Sequence, residues 1–166
     1  MHPPKDIHTI SLLVANKPGV LVRIALVFAR RGFNIDSLVV SPSVNPKYSR
    51  MTITAKGDLA TLDQIIKNCN KLVDVLHAGE HDASQTIERE LALIKIKDTP
   101  AARLNLLKLT KKFHAKIVDT KNKTLIIAQT GTTDELNAFE ENLKKFGILE
   151  MVRTGKVLMA QGRKQT

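Results

Sequence analysis

The sequence predicts the same order of secondary structure twice, and this recurrence limits the fold more than any other feature. In each half, short runs rich in Val, Ile and Leu predict strands, and longer segments with apolar residues three or four positions apart predict helices. Strands are predicted at 7–15, 34–41, 50–57, 72–78, 89–97, 116–120, 123–131 and 148–155, with helices near 18–31, 59–69, 100–113 and 132–147. Two βαββαβ units indicate an α+β protein made of two small sandwiches, each with an antiparallel sheet and two helices on one face.

The polar stretch GEHDASQ separates the two units and is typical of a linker. We therefore predict a first domain over residues 1–78, a linker over 79–85 and a second domain over 86–166. Each domain has only about 80 residues, a size that is marginally stable alone. Pairing through sheet edges or faces is expected.

Several residues fit the ends and inner faces of the predicted helices. Asp58 can cap the second helix, and Thr132 or Thr133 can cap the fourth. Gly32 is a natural end for the first helix. Cys69 lies in an apolar helical pattern, so we interpret it as a small buried residue rather than a reactive thiol.

The sequence contains no recognisable catalytic or metal-binding motif. The glycine patterns of nucleotide sites, a nucleophile elbow and zinc-ligand spacings are absent, and the five histidines are scattered. His8 lies on an apolar strand, where a hydrogen-bonded structural role is more common than a general base. We predict no catalytic residue and no metal ligand, which favours a binding or regulatory module over an enzyme.

The formal net charge is +10, and most of the excess lies in the second half. A basic, ferredoxin-like nucleic-acid-binding protein is therefore one alternative. Aromatic residues make up only 4% of the chain and none repeats on a strand face, so base stacking is poorly supported. We interpret the charge as a solvated surface and predict no nucleic-acid partner.

The compartment is expected to be the cytoplasm, with no membrane association. No apolar run reaches the roughly 18 residues that a membrane helix needs. The single cysteine allows no intrachain disulfide, as is usual for cytosolic proteins.

The turn from Asn16 to Gly19, just before the first helix, has two interpretations. It is either a plain helix start or a carboxylate site, because a helix N-terminus exposes free N–H groups and a positive dipole end. Gly19 would allow a ligand to approach the backbone, and an Asn carbonyl could accept from an ammonium. Beside Val20, Leu21 and Ile35, these groups describe a site for a small apolar amino acid.

The chain resembles the small regulatory subunits of acetolactate (acetohydroxyacid) synthase. The resemblance runs from about His8 to Gly155. It rests on HTISLLVANKPGVLVRIALVFARRGFNIDSLVVSP, SRMTI, KLVDVL, IERELALIKI, IVDT, GTTDELNAFEENL and the late RTG. It implies an N-terminal ACT domain followed by a second ferredoxin-like domain.

The resemblance also implies a function without catalysis. Such a subunit binds the thiamine-diphosphate-dependent catalytic subunit, raises its activity and confers feedback inhibition by valine in branched-chain amino acid biosynthesis. Thiamine diphosphate, Mg and FAD would belong to the catalytic subunit, and this chain would hold no cofactor of its own.

The resemblance implies a valine site at the interface of a homodimer. One chain would contribute Asn16, Gly19, Val20 and Leu21, and the partner chain would contribute Asn34 and Ile35. The alternative function is a free-standing ACT-domain sensor of an amino acid that regulates another enzyme or a transcription factor.

Overall fold

The structure, a computed structural model, describes residues 7–163 and Thr166; of Ala83 only the backbone is described. The first elements are β1 (Ile7–Ala15), α1 (Val20–Arg30), β2 (Ile35–Pro42), β3 (Tyr48–Lys56), α2 (Leu59–Asn70) and β4 (Val75–Glu80). A 3-10 turn (Ala83–Gln85) leads into β5 (Thr86–Lys97), α3 (Pro100–Lys112), β6 (Lys116–Lys121), β7 (Thr124–Gly131), α4 (Thr133–Lys144), β8 (Ile148–Arg153) and β9 (Val157–Ala160).

The first sheet has the strand order β2-β3-β1-β4, with every neighbouring pair antiparallel. Alternate residues of β1 and β3 point to one face, where they meet the apolar stripes of α1 and α2. The buried apolar residues of this core are Ile10, Leu12, Val14, Val20, Ile24, Phe28, Phe33, Met51, Ile53, Ala55, Leu62, Ile65, Cys69, Val75 and Ala78. Strand β2 lies at one edge of the sheet and β4 at the other.

The second sheet repeats this arrangement with the order β6-β7-β5-β8. Its core contains Ala92, Ile94, Ile96, Leu106, Leu125, Ile127, Leu136, Phe139 and Leu143. The expected fold class, two tandem ferredoxin-like βαββαβ arrangements, is confirmed.

The predicted caps are found where local sequence placed them. Asp58 accepts a hydrogen bond from the Thr61 amide at 2.8 Å, which satisfies one of the free N–H groups of α2. Thr132, rather than Thr133, caps α4 and forms a reciprocal capping box with Glu135. Cys69 is buried, with 1% of its surface exposed, as predicted.

Two residues assigned to the linker belong instead to a strand. Strand β4 begins at Val75, not at residue 72, and continues through Gly79 and Glu80, where Glu80 lies opposite Ile10 of β1. The polar side chains suggested a loop, but this edge strand has solvent on part of its surface and tolerates them. The predicted linker over 79–85 therefore overlaps the end of β4 at these two positions.

The chain divides into two compact units whose limits differ from the predicted second domain. One unit is Arg89–Thr154, and the other joins the described residues up to Glu88 with those from Gly155 onward. In the latter segment Leu158 is buried, and Lys156 pairs with Glu88 at 2.8 Å. Strand β9, which pairs with β5, was not predicted, since four residues are too few for a clear period.

Candidate effector site

The N-terminus of α1 is open to an anion. Gly19 is the N-cap residue, in the left-handed region at φ 84°, and no side chain in the described part of the protein caps the helix. The first helical hydrogen bond runs from the Arg23 amide to the Gly19 carbonyl at 3.2 Å. The amides of Val20, Leu21 and Val22 therefore have no intrahelical acceptor, and the first turn contains no acidic residue. These donors, at the positive end of the helix dipole, are suited to a carboxylate.

Arg23 lies beside the glycine of this turn. A Cβ built on Gly19 would be 3.1 Å from Nη1 of Arg23. The positive φ is the main reason that glycine is favoured here, and an added Cβ would also require a small shift of the Arg23 side chain. A ligand at the helix N-terminus would meet a guanidinium as well as the backbone amides.

Asp74 holds two cations around the turn. Its Oδ1 lies 2.6 Å from Nζ of Lys17, and its Oδ2 forms an ion pair with Arg23. The hydrogen bond from Lys17, helped by Arg23, lowers the pKa of Asp74 below its ordinary value, although burial opposes this shift. The carboxylate therefore stays ionised and ties the segment before β4 to the start of α1.

Sequence reasoning missed this ion-pair cluster. Asp74 is more than fifty residues from both of its partners, and no periodicity connects them. The available signal was an acidic residue inside the apolar run KLVDVL, because an acid in such a position usually has a partner.

The side-chain amide of Asn16 forms a hydrogen bond through its nitrogen. Its Nδ2 donates to the Pro46 carbonyl at 3.0 Å, and its backbone amide donates to the Lys47 carbonyl at 2.8 Å. Its Oδ1 accepts no hydrogen bond from the residues that the structure describes. The side-chain carbonyl thus remains available to an ammonium, as the predicted role requires.

Val20 and Leu21 play different parts. The side chain of Val20 is 2% exposed and packs in the core, so only its backbone can reach a ligand. Leu21 is 41% exposed and can offer an apolar surface. The predicted contribution of Val20 to the site is therefore one that its backbone amide would make, and it stays a prediction.

Asn34 and Ile35 lie at the other end of α1, where the chain enters β2. Asn34 is exposed, and its Nδ2 donates to Oδ1 of Asp36 at 3.3 Å. Ile35 is half-buried against the core of its own sheet. Their predicted contribution to the site of a partner chain concerns a second copy, so it stays a prediction.

Other chemistry in the described parts of the chain is sparse. Within residues 7–163, no three His, Cys, Asp or Glu side chains are grouped so that they could hold a metal ion. His8 makes the structural hydrogen bonds expected of it, to Glu80 and to the Gly57 carbonyl. None of the helices in these residues combines the length and apolar character needed to cross a bilayer.

Comparisons with known proteins assign both parts of the chain to one family. Residues 10–77 match the family described as the AHAS small subunit-like ACT domain, and residues 89–162 match the family described as the small subunit of acetolactate synthase.

Individual relatives agree over nearly the whole chain. The probable acetolactate synthase small subunit of Archaeoglobus fulgidus is 45% identical over 95% of this chain and 99% of its own length. The acetolactate synthase small subunit of Mycolicibacterium smegmatis is 40% identical over 93% of this chain and 91% of its own. The crystal structure of the small subunit from Thermotoga maritima superposes with a TM-score of 0.86 at 39% identity, covering 95% of this chain and 99% of that one.

Proposed function

The chain belongs to the family of acetolactate synthase small subunits, and we propose that it activates the catalytic subunit and makes that subunit sensitive to valine. As a small subunit it is non-catalytic and pairs with a catalytic large subunit. The proposed setting is branched-chain amino acid biosynthesis in the cytoplasm. Thiamine diphosphate, Mg and FAD are assigned to the catalytic subunit.

The proposed sensitivity to valine is supported mainly by the uncapped start of α1 at Gly19. Three backbone amides without an intrahelical acceptor, next to Arg23, support binding of the ligand carboxylate. The free Oδ1 of Asn16 supports binding of its ammonium. Leu21 supplies an apolar surface for a branched side chain.

A homodimer is part of the proposal. Helix α1 exposes Leu21, Val22 and Leu26, which are 41%, 62% and 46% exposed, and β2 is an unpaired sheet edge. Apolar side chains and an open edge on one small unit favour association with a second copy. In that dimer Asn34 of the partner subunit would close the site over the ligand.

Reconstitution with the catalytic subunit of the same organism tests the function. Acetolactate formation from pyruvate is measured with thiamine diphosphate, Mg and FAD, with and without this chain. We expect no product from this chain alone and a several-fold increase when it is added to the catalytic subunit. No increase at saturating small subunit would contradict activation and favour a free-standing sensor.

Titrations with valine, leucine and isoleucine then test the effector site separately. We expect valine to reduce the stimulated rate towards that of the catalytic subunit alone. If none of the three amino acids reverses the stimulation, the proposed effector site is contradicted, but the proposed activation of the catalytic subunit is not. Sedimentation at micromolar concentration tests the dimer, and a monomer in the presence of valine would contradict it.

A further inference from the structure

The ring of Phe33 lies directly over the backbone of Gly57. A Cβ built on Gly57 would be 2.0 Å from Cζ of Phe33, and 2.5 Å from both Cε atoms. Only a residue without a side chain permits this approach. Phe33 is buried in the core of its unit, and its amide donates to the Phe28 carbonyl at 3.1 Å.

Gly57 cannot easily retreat from the ring, because His8 holds it. Nε2 of His8 donates to the Gly57 carbonyl at 3.0 Å, and Nδ1 lies 2.9 Å from Oε1 of Glu80. His8 is 6% exposed and sits on β1, the central strand. The end of β3 is thus tied through one buried imidazole to both β1 and β4.

Phe33 immediately precedes Asn34, and the following residues give Asn34 little other support. Strand β2 is an edge strand whose pairing with β3 shifts register between Ile35 and Ser37. Asn34 itself lies before the strand begins, with an exposed side chain. The anchored ring is therefore the fixed point on the N-terminal side of Asn34.

We propose that Gly57 and Phe33 are positioning residues for the effector site, which set where Asn34 meets the ligand ammonium. His8 keeps the Gly57 backbone in place for that purpose. The proposal rests on the proposed function, since it assumes that Asn34 binds an amino acid. The local sequence pattern does not predict this role, because it indicates only that a strand ends at Gly57.

Gly57→Ala tests the contact with the smallest possible change. Gly57 has no left-handed backbone, so the substitution introduces only the clash with the ring. Valine binding to the purified small subunit is measured by calorimetry, and stimulation of the catalytic subunit is measured in parallel. We expect the Kd for valine to rise about tenfold or more, the size of one lost hydrogen bond to a charged group, while stimulation is retained.

Gly79→Ala is the matched control. Gly79 is a glycine of β4 in the same sheet and, like Gly57, has no left-handed backbone; among the described residues its added Cβ would meet only the side chain of His77, with Nε2 at 3.2 Å. We expect this variant to keep its Kd within about twofold. Equal weakening in both variants would contradict a specific role for Gly57.

A double-variant cycle with Phe33→Leu separates positioning from general damage. Leu lacks the ring atoms that meet the added methyl group. In the Phe33→Leu background, Gly57→Ala should therefore raise the Kd for valine by less than about twofold. The same loss in both backgrounds, with circular dichroism showing folded protein, would overturn the inference.

Phe33→Leu alone keeps the test decisive if Gly57→Ala does not fold. This substitution removes the ring that anchors the chain before Asn34. The Kd for valine should therefore also rise, while stimulation of the catalytic subunit persists. An unchanged Kd in this variant overturns the inference. If wild-type protein binds no valine at all, the proposed function fails first, and the two failures are distinguishable.

Discussion

Gly155 packs its backbone against the side chain of Ser37. A Cβ built on Gly155 would lie 2.5 Å from Cβ and 2.6 Å from Oγ of Ser37, and the residue has a φ of 82°. Gly155→Ala should therefore introduce both a clash and backbone strain. We expect a loss of about 2–4 kcal/mol in the free energy of unfolding of the first unit.

Tyr48 provides a probe for this unit, because it is the only tyrosine and the chain has no tryptophan. Urea unfolding followed by Tyr48 fluorescence measures the loss directly. Gly162→Ala is the control, since Gly162 has a φ of 72° and no atom of the described residues lies within 4 Å of the added Cβ. Gly162→Ala should lower the free energy of unfolding by about 1–2 kcal/mol, through backbone strain alone. Equal losses in both variants would show that the contact with Ser37 contributes nothing.

Arg153 and Glu90 form a largely buried ion pair in the second unit. Nη2 of Arg153 lies 2.7 Å from Oε2 of Glu90, and the two side chains are 22% and 6% exposed. Among the described residues, Arg153→Ala would leave the Glu90 carboxylate with only the Thr133 hydroxyl as a side-chain donor. We expect a loss of about 3–5 kcal/mol, the cost of an uncompensated buried charge.

Hydrogen exchange in peptides from β5 and β8 measures this loss within the second unit. Lys95→Ala is the control on the same strands, because the pair of Lys95 with Glu150 is 38% and 58% exposed. Lys95→Ala should lower the free energy of unfolding by at most about 1 kcal/mol. Comparable losses would mean that burial does not distinguish the two pairs.

The sequence predicted those features that depend on neighbouring residues. The caps at Asp58 and Thr132 each depend on the amide three positions further along the chain, and the burial of Cys69 follows from helical period. The turn from Asn16 to Gly19 was identified as the lead-in to the first helix, although that helix was predicted near residue 18 and begins at Val20. In each case the physical cause lies within one turn of helix.

Features that depend on distant residues were not predictable in this way. The pairing of Asp74 with Lys17, and the approach of Phe33 to Gly57, join residues that only the folded sheet brings together. The helical period placed Val20 on the apolar face of α1, but it could not say which residues of that helix also reach a ligand. Whether a helical residue faces the core or a ligand depends on how the helix is set on its sheet.

Cys69 should be unreactive in the folded protein. Burial raises the pKa of its thiol from the ordinary 9.0 to about 11, so almost no thiolate exists at neutral pH. A thiol reagent at pH 8 should label the chain only after urea unfolding. Labelling of folded protein at the rate of a free thiol would contradict this assignment.

The same shift has a consequence for stability at high pH. Between pH 9 and 11 the unfolded thiol releases its proton while the folded one retains it, so the free energy of unfolding falls as pH rises. Cys69→Ala removes this dependence. Its stability should therefore fall less steeply with pH over that window than the stability of the wild type.

Gly19→Asp should abolish valine inhibition and leave stimulation largely intact. The new carboxylate would occupy the amides offered to the ligand, and it would lie close to Arg23. A charge at a helix end contributes about 0.3–2 kcal/mol, and hydrogen bonds to a charged ligand about 1.5–3 kcal/mol. Valine affinity should therefore fall about a hundredfold or more. Asn34→Ala should act in the same direction by removing the partner of the ammonium.

Gly32→Asp separates this effect from backbone strain. Gly32 lies just beyond the other end of α1, with a φ of 69°, and none of the described atoms lies within 4 Å of an added Cβ. It carries the same substitution and a similar strain without approaching the three free amides. Valine titration of the reconstituted holoenzyme should show wild-type sensitivity for Gly32→Asp and none for Gly19→Asp. Wild-type sensitivity in both variants would mean that the turn at Gly19 only starts a helix.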